Sequence, residues 1–171
     1  MKLFAPLGFS RSTLVWLTLL FHTSVAALGA QDTPTGKLHP RRLDLAGEWR
    51  LALSGPEPSF PQGALPAMKF ADTLTLPGTT ELRGKGPANP ASEVGGLTRV
   101  RKFEGAAWYE RDVEIPASWA GLRIRLSLER TRYTQVWLDG RPCGEQALYG
   151  SPQIYDLSAV VTPGRHRLTV L

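Results

Sequence analysis

The sequence predicts an all-β sandwich. Apolar and polar residues alternate at period two in several short runs, Gly and Pro turn signals separate those runs, and no helical period is sustained beyond the first thirty residues.

In chain order, the segment Leu45–Leu53 sets Trp49, Leu51 and Leu53 on one face and Glu48, Arg50 and Ala52 on the other, a half-buried strand. Ser54–Pro66 is rich in Pro and Gly and reads as a loop. Asp72–Leu76 is a short strand stopped by Pro77-Gly78. A long irregular stretch then runs from Gly78 to about Gly105. Structureless connections of that length are uncommon in compact domains and are often functional.

Beyond it the strand signal strengthens. Tyr109, Arg111, Val113 and Ile115 alternate with Trp108, Glu110, Asp112 and Glu114, and Pro116 ends the run. Leu122, Ile124, Leu126 and Leu128 alternate with Arg123, Arg125, Ser127 and Glu129. Thr134–Leu138 leads into Asp139-Gly140, a tight hairpin signal, and Arg141–Gln146 returns beside it. Gln153–Tyr155 is a short strand, Ser158–Val161 one helical turn that Asp156 caps, and Arg167–Leu171 a last strand. That strand stops inside the apolar run Leu168-Thr169-Val170-Leu171, which reads as truncation.

The N-terminus reads as an export signal. Lys2 and Arg11 give positive charge, Leu14–Phe21 is a short apolar run, and small residues follow from Ser24 to Ala30. The run is roughly half the length that spans a bilayer. Residues 1–30 are therefore expected to be removed as a signal peptide, and 31–42 to form a flexible leader. The product is expected to be secreted or periplasmic and soluble, with no membrane attachment after cleavage. Loss of Lys2 and Arg11 leaves 18 basic against 15 acidic residues, a net charge of +3. The basic residues are scattered along strands, so no nucleic-acid partner is expected. Cys143 is the sole cysteine and reads as a partly buried, inert thiol. His22, His39 and His166 are far apart, and no metal site or cofactor is expected.

Ala107-Trp108-Tyr109-Glu110-Arg111 through Ile115-Pro116, followed by Trp119-Ala120-Gly121, resembles the N-terminal domain of glycoside hydrolase family 2, which holds β-galactosidases, β-glucuronidases and β-mannosidases. Val136-Trp137-Leu138-Asp139-Gly140, Tyr155-Asp156-Leu157-Ser158 and Pro163-Gly164-Arg165-His166-Arg167-Leu168 follow in that family's order. Upstream, Leu76-Pro77-Gly78-Thr79-Thr80, Gly96-Leu97-Thr98-Arg99 and Leu45-Ala46-Gly47-Glu48-Trp49 extend the likeness over Leu45–Leu171. His166 stands where the family usually has Asn, and Ala147-Leu148 where it often has Gly-Gly.

The resemblance implies a jelly-roll sandwich, galactose-binding-domain-like, at 43–171, followed in the same protein by an immunoglobulin-like domain and a TIM barrel. The barrel carries two glutamates that hydrolyse a terminal β-linked sugar with retention. Such a pair stands about 5 Å apart across the bond, and a barrel needs roughly 250 residues. This chain is therefore expected to have no catalytic residue of its own and to be inactive alone. Glu110, Asp112 and Glu114 share one strand face, where charge points to solvent. Loops of this domain approach the barrel mouth in the family. Among the long loop's Asn89, Glu93, Thr98 and Arg99, the sugar-contact candidates are Arg99, with its fixed donor fork, and Asn89, which donates and accepts.

Trp49, Trp108, Trp119 and Trp137 serve either packing or sugar stacking. Arg111 alternates with apolar residues, and an inward guanidinium there needs a partner, for which Glu129 and Asp156 are the options. Two readings compete with an enzyme's first domain. One is a free-standing, non-catalytic carbohydrate-binding sandwich, and the other a purely structural or interaction module.

Overall fold

The computed structural model describes residues 2–5, 41–55, 63, 65–90 and 99–171. The apolar run expected to act as an export signal, most of the expected leader, and Glu93 and Thr98 lie outside the described residues.

The regular elements of the described chain are strands: β1 (Lys2–Ala5), β2 (Arg41–Asp44), β3 (Gly47–Ser54), β4 (Asp72–Leu76), β5 (Ala106–Ile115), β6 (Arg125–Leu128), β7 (Thr134–Leu138), β8 (Arg141–Gln146), β9 (Gln153–Asp156) and β10 (Gly164–Val170), with one 3-10 turn at Ala117–Trp119. The strands make two antiparallel sheets. One has four strands in the order β2-β1-β6-β9, the other six in the order β4-β3-β5-β10-β7-β8.

The period-two pattern fixes which side chains meet between the sheets. Val113 and Ile115 of β5, Leu168 and Val170 of β10, and Val136 and Leu138 of β7 point inward. They pack against Leu126 and Leu128 of β6 and Tyr155 of β9, with Trp49, Leu45 and Trp119 closing the ends. Full burial of each large apolar side chain contributes about 1.5–3 kcal/mol, so this inner layer dominates the stability.

A second apolar cluster lies on the outer face of the six-stranded sheet. Ala52, Ala106, Trp108, Trp137 and Leu171 are buried there under Leu65, Met68 and Phe70 of the β3–β4 connection. That changes one expectation. The β3 face carrying Ala52 was expected to be polar, yet its end is as dry as the inner face.

The hairpin signal holds. Asp139 and Gly140 take φ of 50° and 78°, the paired positive values of a tight hairpin turn, which glycine tolerates without strain. Asp139 does more than turn the chain. Its Oδ2 lies 2.6 Å from His166 Nδ1, and its Oδ1 accepts the Arg167 backbone N–H at 2.8 Å. His166 Nε2 lies 2.7 Å from the Thr162 carbonyl. The ring thus ties the hairpin to the start of β10.

β6 is shorter than the Leu122–Leu128 alternation suggests. The Ile124 N–H donates to Ser158 Oγ at 2.9 Å, so a side chain replaces a strand neighbour there. Asp156 caps the turn as expected, accepting from Ser158 N at 3.1 Å and from Ser158 Oγ at 2.6 Å. The strand Lys2–Ala5 has no counterpart in the sequence reading. It lies between β2 and β6, antiparallel to both, and its Leu3 is 1% exposed in the inner core.

Arg111 does point inward, but its partners are neither Glu129 nor Asp156. Glu129 lies near Lys2 at 3.7 Å, and Asp156 holds Arg123 at 2.8 Å. Arg111 instead donates to backbone carbonyls, and a carbonyl cannot be read from residue identity. Of the β5 acids, Glu114 is exposed as expected, but Glu110 is not. Glu110 is only 8% exposed, 3.0 Å from Arg50 Nε and 3.4 Å from Thr169 Oγ1. The neighbouring strands β3 and β10 bring Arg50 and Thr169 over it, so it is shielded from solvent.

Candidate functional site

The described parts of the long loop between β4 and β5 are more ordered than their composition suggests. Thr79 Oγ1 accepts the Leu82 N–H at 3.2 Å, and the Thr80 carbonyl accepts the Lys85 N–H at 2.8 Å, forming a compact turn. Arg83 reaches back to the Pro77 carbonyl at 3.0 Å, and Lys85 pairs with Asp72 at 2.6 Å. The chain then forms a narrow arm. Ala88 bridges Arg101, Asn89 N–H donates to the Val100 carbonyl at 3.0 Å, and Lys102 N–H donates to the Pro87 carbonyl at 3.1 Å.

This arm brings the two sugar-contact candidates together. Asn89 and Arg99 lie on opposite limbs beside the Ala88–Arg101 bridge, and 91–98 lies outside the described residues. Asn89 is half-buried. The Arg99 side chain is 58% exposed, with Nη1 3.1 Å from Glu81 Oε1. An exposed guanidinium held by one carboxylate keeps other donors for a ligand.

Sequence reasoning missed Glu81. Eighteen residues separate it from Arg99, and only the folded turn joins them. Its carboxyl is held below the usual range by its own backbone N–H, helped by the Thr79 and Thr80 hydroxyls and by Arg99 against the opposing effect of burial. Burial pushes the neighbouring Tyr109 phenol up, and the Glu81 charge adds to that shift. A carboxylate and a guanidinium therefore meet near the loop's base. That set can hydrogen-bond polyols and pair with an anion.

None of the four tryptophans in the described domain offers a free stacking face. Trp108 and Trp137 pack together at 5.5 Å between centroids, and Trp137 Nε1 donates to the Gly63 carbonyl at 2.9 Å. Trp49 and Trp119 belong to the inner core. Packing within this chain accounts for all four.

An open cleft of about 400 Å³ is lined by Leu122, Arg123, Asp156, Ser158, Val161 and Pro163. Its Arg123 and Asp156 are already paired with each other. Burial raises the Cys143 thiol, in keeping with an inert role. Among the described residues no cluster of His, Cys, Asp and Glu is suited to a metal ion, and no helix is long and apolar enough to cross a membrane.

Comparison with known proteins gives a consistent result. The family model for the sugar-binding domain of glycosyl hydrolases family 2 matches residues 42–171. A β-glucuronidase of Canis lupus familiaris is 28% identical over 144 residues, covering 75% of this chain and 21% of that protein. Among solved structures, the Faecalibacterium prausnitzii β-glucuronidase superposes with a TM-score of 0.56 at 27% identity, over 75% of this chain and 20% of that one. The Bifidobacterium dentium β-glucuronidase complexed with coumarin-3-O-glucuronide gives 0.54 at 22% identity, over 74% and 19%, a likeness of fold. The chain thus spans about a fifth of the length of these relatives.

Proposed function

Because the chain belongs to glycosyl hydrolase family 2 through that family's sugar-binding domain, we propose that it is the carbohydrate-associated first module of an exported, retaining β-glycosidase acting on a β-glucuronoside. One observation carries the choice of sugar. The two relatives at 28% and 27% identity are both β-glucuronidases. The fold is read more finely as a jelly roll of the galactose-binding-domain type.

In this reading the chemistry belongs to a downstream barrel, where an acid/base and a nucleophilic carboxylate flank the bond about 5 Å apart. The module buttresses that barrel and extends the 78–105 loop toward the glycone. Arg99 suits a uronic acid, because its planar fork matches a carboxylate in two-point contact. Residues 1–30 direct export and are then lost, leaving the product outside the cytoplasm.

Hydrolysis of p-nitrophenyl β-D-glucuronide by the parent polypeptide tests the proposal, with the β-D-galactoside as comparison. Glucuronide turnover with retained anomeric configuration is expected. Preference for the galactoside overturns the choice of sugar, and turnover of neither overturns the enzyme. The 171-residue chain alone is expected to leave both intact.

A further inference from the structure

The connection between β8 and β9 offers what the four tryptophans do not. It carries Tyr149, 76% exposed, and the Arg132 guanidinium lies over that ring at 5.6 Å from its centroid. Leu148 beside it in the chain, and Ile154 of β9, are exposed as well. A ring in this setting presents an apolar face to solvent with a cation fixed next to it.

Buried and half-buried amides hold the pair in place. Gln153 is fully buried, and its Nε2 donates to the Arg132 carbonyl at 2.8 Å and to the Leu148 carbonyl at 3.5 Å. One side chain thus anchors the backbone at Arg132 and next to Tyr149. Gln146 closes the connection, donating to the Ile154 carbonyl and accepting the Ile154 N–H at 3.2 Å. A surface fixed in advance loses little freedom when a ligand settles on it.

Charge selects the ligand. Arg130 and Arg132 are both exposed, and among the described residues neither is paired with a carboxylate. The carboxylate of β8, Glu145, already accepts from the Tyr133 hydroxyl at 2.9 Å and from Gln135 Nε2 at 2.8 Å. An acidic pyranose matches both parts of the patch. Its C–H face covers the ring, and its carboxylate takes two parallel N–H bonds from a guanidinium fork. The patch is also distant from the Arg99 loop. β4, where that loop departs, and β8 are opposite edges of the six-stranded sheet, five strand spacings or about 24 Å apart.

We propose that Tyr149 and Arg132 form a second carbohydrate site, for an oligosaccharide that carries uronic-acid carboxylates. The site holds an acidic chain on the protein and does not touch the bond that is cleaved.

The test is titration calorimetry on the intact 171-residue chain with a hyaluronan tetrasaccharide, which alternates glucuronate and N-acetylglucosamine. A Kd of about 1 mM or tighter is expected. Tyr149→Ala and Arg132→Gln should each weaken binding about tenfold or more. Both side chains are exposed, so melting temperatures should hold; if Tyr149→Ala does unfold the chain, Arg132→Gln carries the test. Arg99→Ala should leave this affinity unchanged. Absence of binding, or binding that neither Tyr149→Ala nor Arg132→Gln weakens, overturns the site. Equal affinity for neutral cellotetraose overturns the acidic ligand, and equal affinity for a short polyglutamate peptide overturns the carbohydrate. In the parent polypeptide, Tyr149→Ala should leave KM for p-nitrophenyl β-D-glucuronide unchanged, and a rise there overturns the separation from the loop site. Calorimetry needs no turnover, so failure of the enzyme reading and failure of this site are seen separately.

Discussion

The guanidinium of Arg111 lies over the Trp49 indole at 5.9 Å, and its Nη1 donates to the carbonyls of Leu45 at 2.9 Å and Ala46 at 2.8 Å. One side chain on β5 thus fixes the corner where β2 turns into β3. The same Leu45 carbonyl accepts the Trp49 Nε1–H at 2.9 Å, which couples the indole to the corner.

Arg111→Met retains the packing volume but leaves the Ala46 carbonyl without a donor. A loss of about 2 kcal/mol is expected in chemical denaturation. Arg111→Lys should lose a similar amount, because an ammonium cannot lie flat on the ring while reaching two carbonyls. A change below about 0.5 kcal/mol for both variants shows that the corner holds without it.

Acid should selectively weaken the Asp156 turn. Hydrogen bonds from Ser158 and Arg123 lower its pKa from 3.8 to about 2. A carboxylate depressed on folding stabilises the native state above its unfolded pKa, and that contribution fades as pH falls through the folded value. Asp156 is 42% exposed, so solvent screening limits the effect to at most about 1 kcal/mol. Wild type is therefore expected to exceed Asp156→Asn in stability at neutral pH, with the gap closing between pH 3.8 and about 2. A gap that stays constant with pH refutes the assignment.

Gly105 should not tolerate a side chain. It sits at φ 155°, where the loop rejoins β5, and an added Cβ would fall 2.3 Å from the Ser54 carbonyl oxygen. Gly105→Ala is expected to destabilise by about 2–3 kcal/mol, through a backbone clash that no rotamer change relieves. Gly140→Ala meets open space and suffers only its positive φ, about 1 kcal/mol. Thermal melts that rank the two variants the other way contradict this account.

Arg99→Ala separates ligand contact from stability. In the parent enzyme KM for the glucuronide is expected to rise about tenfold, the effect of losing one charge-assisted contact. The melting temperature should barely move, because the Arg99–Glu81 pair is exposed and contributes little. An unchanged KM removes Arg99 from the sugar site.

The parts of the fold that were legible share one property: their signal lies in side chains close together in sequence. β5, β7, β8 and β10 follow from alternation, Pro116 and Asp139-Gly140. The loop ends at 78 and 105 follow from Gly and Pro. What stayed hidden depends on partners that composition cannot identify. Lys2–Ala5 reads as export charge because only the folded sheet reveals its neighbours. The partners of Arg111 are carbonyls, alike in every residue type. The family's loop pointed to Arg99, but Glu81 emerged only when the turn at 79–85 brought it within 3.1 Å.

The Trp108–Trp137 pair has a consequence for observing the molecule. Two indoles 5.5 Å apart and tilted by 33° couple their electronic transitions. Trp49 and Trp119 lie in the separate inner core. The outer cluster therefore carries its own circular-dichroism signature. Peeling the Leu65–Phe70 cover from the sheet would change that signature while the inner core is still intact, so the two layers of the sandwich can be followed as separate events in one spectrum.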